Sequence, residues 1–173
     1  MPKRLFFGLP CPPGIVPLLK AYQSGTEQGR PTPAGDFHVT LAFLGSVSDS
    51  HLNTLLHMCD ELPFPPCFEI EFDISRCWPG GLMHLAPSSA PHALIQLQAT
   101  LAAKLRALGL NVDDRPYAPH VTLARHATMR QPTEIPPIRW SVCDIVLYES
   151  IPVASPIGHY EPLRIWPLPK ATP

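Results

Sequence analysis

One five-residue sequence occurs twice in this chain, as His-Val-Thr-Leu-Ala at residues 38–42 and again at residues 120–124. Both copies lie in stretches rich in β-branched and aliphatic residues, which favour β-strands. Side chains alternate between the two faces of a strand, so each histidine shares a face with its threonine, and each valine with its leucine. We therefore expect two similar halves, each presenting an imidazole and a hydroxyl from a strand whose apolar face is buried.

If the two halves face each other across a cleft, His38, Thr40, His120 and Thr122 converge on one small site. An imidazole with an unperturbed pKa near ~6.5 can hold or take up a proton at neutral pH. One protonated and one neutral imidazole supply a general acid and a general base for in-line displacement at phosphorus. The threonine hydroxyls add hydrogen-bond donors for the non-bridging oxygens, where negative charge lies in the transition state.

The same residues bear on two other interpretations of the repeat. Duplication of an amphipathic strand explains the buried valine and leucine, but sheet packing alone does not require both the histidine and the threonine. A zinc site needs three or four ligands, whereas the repeat supplies two histidines. We therefore expect no metal ion and no other cofactor.

Composition limits where such a protein acts. The chain has 173 residues, 45% of them hydrophobic, and lacks an apolar run of the ~20 residues that cross a membrane. Prolines at positions 10, 12 and 13 end the first apolar stretch too early for a signal peptide. Five cysteines without a close pair indicate reduced thiols rather than a disulfide framework or a zinc knuckle. We expect a cytoplasmic monomer with no membrane association and no obligate protein partner.

The charge of the chain is nearly balanced, with 13 Lys and Arg residues against 14 Asp and Glu residues. Binding along a nucleic-acid backbone normally needs a strongly basic face, so this balance argues against broad nucleic-acid binding. It is compatible with binding of one terminal phosphate, for which two or three local cations are sufficient.

Hydrophobic periodicity predicts ten elements, in the order β-α-β-α-β followed by β-α-β-β-β. This order predicts an α+β fold of two similar lobes. Each lobe is expected to be a mixed, mainly antiparallel sheet that faces a central cleft and carries its helices outside. We expect a single domain over residues 1–173, with lobes at about 1–78 and 79–173. The predicted strands lie near residues 3–9, 37–44, 68–75, 82–86, 119–125, 139–149 and 159–168.

The paired His-x-Thr-x motifs resemble those of the two-histidine (2H) phosphoesterase superfamily. The wider sequence is similar to the bacterial and archaeal RNA 2′,3′-cyclic phosphodiesterases, once called 2′-5′ RNA ligases, and the similarity covers nearly the whole chain. The stretches that carry it are Arg4 to Phe7, Phe37 to Gly45, Arg115 to Arg125, Leu147 to Ser150, Tyr160 to Leu163 and Trp166 to Leu168.

This resemblance implies metal-independent hydrolysis of RNA 2′,3′-cyclic phosphate ends, or of nucleotides with that group, to 2′-phosphates. It also implies that His38 is the proton donor to the leaving 3′ oxygen and that His120 is the base that activates water. The residues alone leave these roles open, because the two motifs are identical. Two alternatives also stay open: joining of RNA ends through a 2′-5′ bond, and a non-catalytic module that binds RNA ends or nucleotides.

Arg125 is a further candidate for binding the phosphate. It follows the second motif at the position where the first motif has Phe43, so it could orient an asymmetric substrate through its guanidinium. Strict alternation places it on the face opposite His120 unless the strand bulges near its end. A surface salt bridge is the alternative interpretation.

Several other residues leave two interpretations open. Asp36 stands where the family often has asparagine, and its carboxylate would either repel phosphate or cap a turn. Phe7, Trp78 and Tyr117 would either stack on a nucleobase or pack in the core. The six histidines outside the repeat are expected to be structural, and they are His51, His57, His84, His92, His126 and His159.

Overall fold

The computed structural model of the chain describes residues 1–24, 29–128, 130–155 and 158–172. Within these ranges the chain forms three α-helices, two short 3₁₀ helices and nine strands, which agrees with the predicted α+β class. The α-helices are α1 (Val16–Ser24), α2 (Asp49–Asp60) and α3 (His92–Ala107). The strands are β1 (Lys3–Pro10), β2 (Arg30–Pro31), β3 (His38–Val47), β4 (Phe68–Trp78), β5 (Leu82–Ala86), β6 (Val121–Arg125), β7 (Thr133–Val142), β8 (Asp144–Ser155) and β9 (Gly158–Pro167).

The observed strands differ from the periodicity-based prediction at two places. The short strand β2 lies in a stretch whose prolines and polar residues gave no strand signal. The single stretch predicted over residues 139–149 is divided between β7 and β8, which are separated at Cys143. Neither feature is visible in periodicity, because β2 has only two residues and β-favouring residues lie on both sides of Cys143 and Asp144.

Local sequence signals set the bounds of the other helices and strands. The side chain of Ser48 accepts a hydrogen bond from the backbone N–H of His51, so this serine caps the start of α2. Helix α3 ends just before Gly109, whose φ of +75° is a left-handed conformation that glycine adopts without strain. No helix within the described ranges has the length and apolar character needed to cross a bilayer.

The strands form one sheet with the order β7-β4-β5-β6-β3-β1-β8-β9, and β2 adds to β6. Each described strand pair is antiparallel, which confirms the mainly antiparallel prediction. The strand pairing does not follow the predicted lobe limits of 1–78 and 79–173. Strand β4 pairs with β5 and β7, while β8 and β9 return to pair beside β1. The sheet thus has one group of strands formed by β2, β4, β5, β6 and β7 and another formed by β1, β3, β8 and β9, and the two groups interleave along the chain. Long-range pairing of this kind has no local sequence signal.

The two groups of strands meet at one residue pair, Val39 of β3 opposite Val121 of β6. Both valines are fully buried, and they belong to the same apolar cluster as the buried faces of the three helices. Helix α3 contacts β3 directly, since Gln98 donates a side-chain hydrogen bond to the carbonyl of Leu41. The helices thus cover the valine face of the central strands and leave the histidine face open.

Candidate active site

The position of the valine pair determines how the two repeats face each other. Val39 and Val121 occupy the same place in the two copies, so an antiparallel pair between them has an approximate two-fold axis at its centre. That axis exchanges the two motif histidines and the two motif threonines. Extending the register by one residue in each direction sets His38 opposite Thr122 and Thr40 opposite His120. All four side chains are partly exposed, and they line one cleft of about 390 Å³.

The ring of His38 is oriented by hydrogen bonds at both nitrogens. Its Nδ1 donates to the backbone carbonyl of Asp36 at 2.7 Å, which leaves Nε2 as the nitrogen that exchanges a proton. This Nε2 lies 2.8 Å from the Thr40 hydroxyl, which donates to a neutral imidazole and accepts from a protonated one. Gly8 makes room for the ring, because a Cβ at Gly8 would lie 3.4 Å from Cδ2 of His38.

The ring of His120 is oriented in the same way on the other side of the cleft. Its Nδ1 donates to the backbone carbonyl of Ala118 at 2.8 Å, again two residues earlier in the chain. Its ring packs against Trp78, with 4.6 Å between ring centroids, and against His84 at 5.3 Å. His120 therefore has its Nε2 available to a ligand in the cleft, while its other edges contact aromatic rings.

Burial lowers the pKa of both motif histidines. For each ring the loss of solvation is the largest cause, and the hydrogen bond to the backbone carbonyl opposes it in part. The positive charge of Arg125 also lowers both pKa values, and a charge on His120 lowers that of His38. These effects favour neutral imidazoles, and a bound anion would shift the balance toward an imidazolium.

Arg125 lies in the cleft although strict alternation places it on the opposite face. The consecutive β5 residues Met83 and His84 pair with Ala124 and Thr122, so one extra β6 residue lies between their partners. This β-bulge shifts the alternation by one residue and brings Arg125 to the side of the two histidines. No ion pair within the described ranges joins Arg125 to a carboxylate.

The cleft contains a third histidine that sequence reasoning assigned a structural role. His159 lines the cleft, and it donates to the carboxylate of Asp36 from its backbone N–H at 2.6 Å and from Nδ1 at 2.7 Å. Asp36 is only 4% exposed, so its carboxylate is bound to His159 rather than directed at a ligand. The carboxylate therefore has neither of the two roles expected for it. No local pattern indicates the observed role, because the partner, His159, lies 123 residues further along the chain.

His84 is the second histidine near the site that the sequence did not single out. Its side chain is 1% exposed and lies between Trp78, with 4.1 Å between ring centroids, and His120. Burial lowers the pKa of His84 to about 4, so this imidazole is neutral at neutral pH. Of the imidazoles on this side of the cleft, His120 is thus the one placed to exchange protons.

The three aromatic candidates lie in different surroundings. Phe7 is 1% exposed and belongs to the core. Tyr117 donates its hydroxyl hydrogen bond to the backbone carbonyl of Thr40 at 2.9 Å, so it supports the motif strand. Trp78 contacts the ring of His120. Phe6, which the sequence did not single out, contacts the ring of His38 at 4.9 Å and lines the cleft.

The cleft is lined by more cations than anions. Arg4, Arg30 and Arg125 line it, and the carboxylate that lines it is the buried Asp36. Among the described residues, no group of three or more histidine, cysteine, aspartate or glutamate side chains is arranged to hold a metal ion. The site combines two imidazoles, two hydroxyls and guanidinium groups, which together suit a phosphate ester.

Comparison with known proteins agrees with this chemistry. The model of the 2′-5′ RNA ligase superfamily matches residues 17–151. The chain is 32% identical over 173 residues to the RNA 2′,3′-cyclic phosphodiesterase of Escherichia coli strain K12, covering 96% of this chain and 97% of the relative. It is 34% identical over 133 residues to a protein of the same name from Bacillus subtilis strain 168, covering 71% of each.

Solved structures match nearly the whole chain. The crystal structure of E. coli LigT complexed with 3′-AMP has a TM-score of 0.85 and 30% identity, covering 97% of this chain and 99% of that one. A crystal structure described as a phosphoesterase has a TM-score of 0.87 and 30% identity, covering 98% and 100%. The resemblance inferred from the paired motifs is confirmed, and the chain belongs to the 2′-5′ RNA ligase superfamily.

Proposed function

We propose that this protein hydrolyses RNA 2′,3′-cyclic phosphate ends to 2′-phosphates without a metal ion. The observation that carries the proposal is the convergence of two imidazoles, from paired copies of one motif, on a cleft lined by arginines. The names of the E. coli and B. subtilis relatives support the same substrate class.

In this proposal His120 is the general base. Its Nδ1–H is held by the carbonyl of Ala118, so the neutral ring directs the lone pair of Nε2 into the cleft. Nε2 takes a proton from water as the water oxygen forms a bond to phosphorus. The lowered pKa of His120 keeps the ring neutral, as a base must be before reaction.

His38 is the general acid in the same step. The negative charge of a bound cyclic phosphate favours its imidazolium form, which offsets the lowering of the pKa by burial. As the bond from phosphorus to the 3′ oxygen breaks, His38 donates its Nε2 proton to that oxygen. The product then carries a free 3′ hydroxyl and a 2′-phosphate.

Thr40, Thr122 and Arg125 bind the non-bridging oxygens in this proposal. The hydroxyls donate hydrogen bonds, and the guanidinium supplies positive charge where negative charge accumulates in the transition state. Thr40 also contacts Nε2 of His38. Its hydroxyl therefore helps to orient the Nε2–H group from which His38 donates the proton.

The roles of the two histidines are tested with His38→Ala and His120→Ala. Each change is expected to reduce turnover of a 2′,3′-cyclic nucleotide by ~10²–10⁴-fold, and the wild-type rate should follow a bell-shaped pH profile. A substrate with a better leaving group needs no acid, so it should recover much of the lost rate in the His38 variant and little in the His120 variant. Recovery in the His120 variant instead would exchange the two roles. Near-full activity of both variants would contradict the mechanism.

The products and the metal requirement are tested in the same assay. Separation of 2′- and 3′-phosphates should show the 2′-phosphate alone, and incubation with RNA ends carrying 5′ hydroxyls would reveal any joining through 2′-5′ bonds. Activity should persist in excess chelator. Loss of turnover that zinc or manganese restores would contradict metal independence, and binding without turnover would identify a non-catalytic module.

The cellular setting is part of the proposal. One copy of the chain supplies both motif histidines and both motif threonines, which supports a protein that works as a monomer without an obligate protein partner. The odd number of cysteines without a close pair in the sequence supports a reducing compartment such as the cytoplasm. Sedimentation of the purified protein in reducing buffer tests the monomer.

A further inference from the structure

Two arginines face each other on neighbouring strands at the edge of the cleft. Arg30 of β2 pairs directly with Arg125 of β6 in the antiparallel register. Both side chains are exposed, and both line the cleft that contains the two motif histidines. Like charges at directly opposed positions destabilise a strand pair. In the described part of the chain, no ion pair with a carboxylate compensates either guanidinium.

The backbone holds this unfavourable pair in place. The N–H of Thr32 donates to the carbonyl of Leu123 at 2.8 Å, directly after the short strand β2. Gly29 has a φ of +141°, and a Cβ there would lie 2.9 Å from the carbonyl oxygen of Arg125. Glycine therefore permits the close approach of the two strands. Because these contacts keep Arg30 beside Arg125, an anion at this edge of the cleft would meet positive charge from both strands.

We propose that Arg30, beside Arg125, forms a second phosphate subsite, which binds the phosphodiester on the 5′ side of the reacting nucleotide. The inference rests on the proposed function, in which the motif histidines and threonines bind the cyclic phosphate together with Arg125. A 2′,3′-cyclic end has no nucleotide beyond it, so the neighbouring phosphate lies on its 5′ side. Guanidinium groups bind phosphate through two parallel hydrogen bonds, and the bound charge relieves their mutual repulsion. The cleft thereby selects oligonucleotide ends over mononucleotides.

The test compares a 2′,3′-cyclic mononucleotide, which lacks the second phosphate, with a short oligonucleotide that ends in a cyclic phosphate. Arg30→Gln should raise the KM for the oligonucleotide, relative to that for the mononucleotide, by about tenfold. One lost phosphate contact should also reduce the slope of log KM against log salt by about 0.7 for the oligonucleotide. Arg30→Lys keeps the charge, so it should retain most of the salt dependence.

The matched control is Arg139→Gln. Arg139 is an exposed arginine on β7, in the same group of strands, where it forms an ion pair with Glu71. The change removes the same charge away from the cleft, so the ratio of the two KM values should stay at that of the wild type. Equal changes for both substrates in the Arg30 variant, or no change for either, would overturn the second subsite.

A binding measurement separates this inference from the proposed function. Fluorescence anisotropy of a labelled oligonucleotide with a 2′-phosphate end requires no turnover. Weaker binding by the Arg30→Gln variant than by the Arg139→Gln variant supports the subsite, and equal binding overturns it. If the Arg30→Gln variant alone binds this probe more weakly but the wild type hydrolyses neither substrate, the hydrolytic function fails while the phosphate subsite stands.

Discussion

The buried histidine beneath the candidate base gives a quantitative prediction for stability. His84 is 1% exposed, and its Nδ1 donates to the carbonyl of Leu82 at 3.1 Å. In His84→Asn the amide nitrogen can take the place of Nδ1, so this variant removes the titrating ring while it can keep the hydrogen bond. The prediction concerns how the free energy of unfolding changes with pH in each protein.

The magnitude follows from the two pKa values of His84. Burial lowers the pKa to about 4 in the folded protein, whereas an unfolded histidine has a pKa near ~6.5. Between these values the unfolded chain binds a proton that the folded protein does not, so stability falls as the pH falls. Linkage gives a loss of ~2 kcal/mol from this residue between pH 7 and pH 5. The lowered pKa values of His38 and His120 act in the same direction.

Urea unfolding followed by tryptophan fluorescence at pH 7 and pH 5 measures this effect. We expect the loss of stability on acidification to be smaller by ~2 kcal/mol in His84→Asn than in the wild type. His57→Asn is the matched control for a histidine-to-asparagine change, because His57 is exposed on α2. A His84 variant that loses as much stability as the wild type, with an unchanged urea slope, would refute the assignment of a neutral buried imidazole.

Two further changes act on the orientation of His38. Asp36→Asn removes a carboxylate that accepts two hydrogen bonds from His159, so it should cost about 1–3 kcal/mol in urea unfolding and lower kcat; unchanged stability would contradict the buried pair. Gly8→Ala places a Cβ 3.3 Å from Cε2 of Tyr148 and from the carbonyl of Val39, with the His38 ring next to it. It should cost about 1–3 kcal/mol and reduce kcat more than Gly14→Ala, where a Cβ meets no atom within 4 Å; equal kcat values for the two variants would contradict this packing.

Strand alternation explains why the motif residues could be located from the sequence. The burial of Val39 and Val121, and the exposure of the histidines and threonines between their apolar neighbours, follow from period-two geometry. The positions of Arg125 and Asp36 could not be obtained in this way. Arg125 depends on a bulge that pairing with β5 creates, and Asp36 depends on a hydrogen bond to a residue far along the chain.

The order of the strands in the sheet also could not be predicted from local sequence patterns. Strand β4 looks like the end of the first half in sequence, yet it pairs with β7, and β8 returns to pair with β1. Apolar periodicity determines which face of a strand is buried, but any strand of suitable length and pattern can pair beside it. Local patterns also gave no sign that His84 and His159 lie near the site. The contact of His84 with Trp78 and that of His159 with Asp36 exist only in the folded sheet.

Identical motifs around an approximate two-fold axis offer two equivalent imidazoles, whereas hydrolysis needs one donor and one acceptor. The residues around the repeat remove this equivalence. His38 contacts Phe6 and Tyr160, and its Nε2 meets Thr40, while His120 packs against Trp78 and the neutral His84. A positive charge on His120 lowers the pKa of His38, so a doubly protonated pair is disfavoured. A bound phosphate disfavours the state in which both imidazoles are neutral, because its negative charge stabilises an imidazolium. In the proposed mechanism a bound phosphate therefore favours the state in which one ring is protonated and the other is neutral, as acid–base catalysis requires.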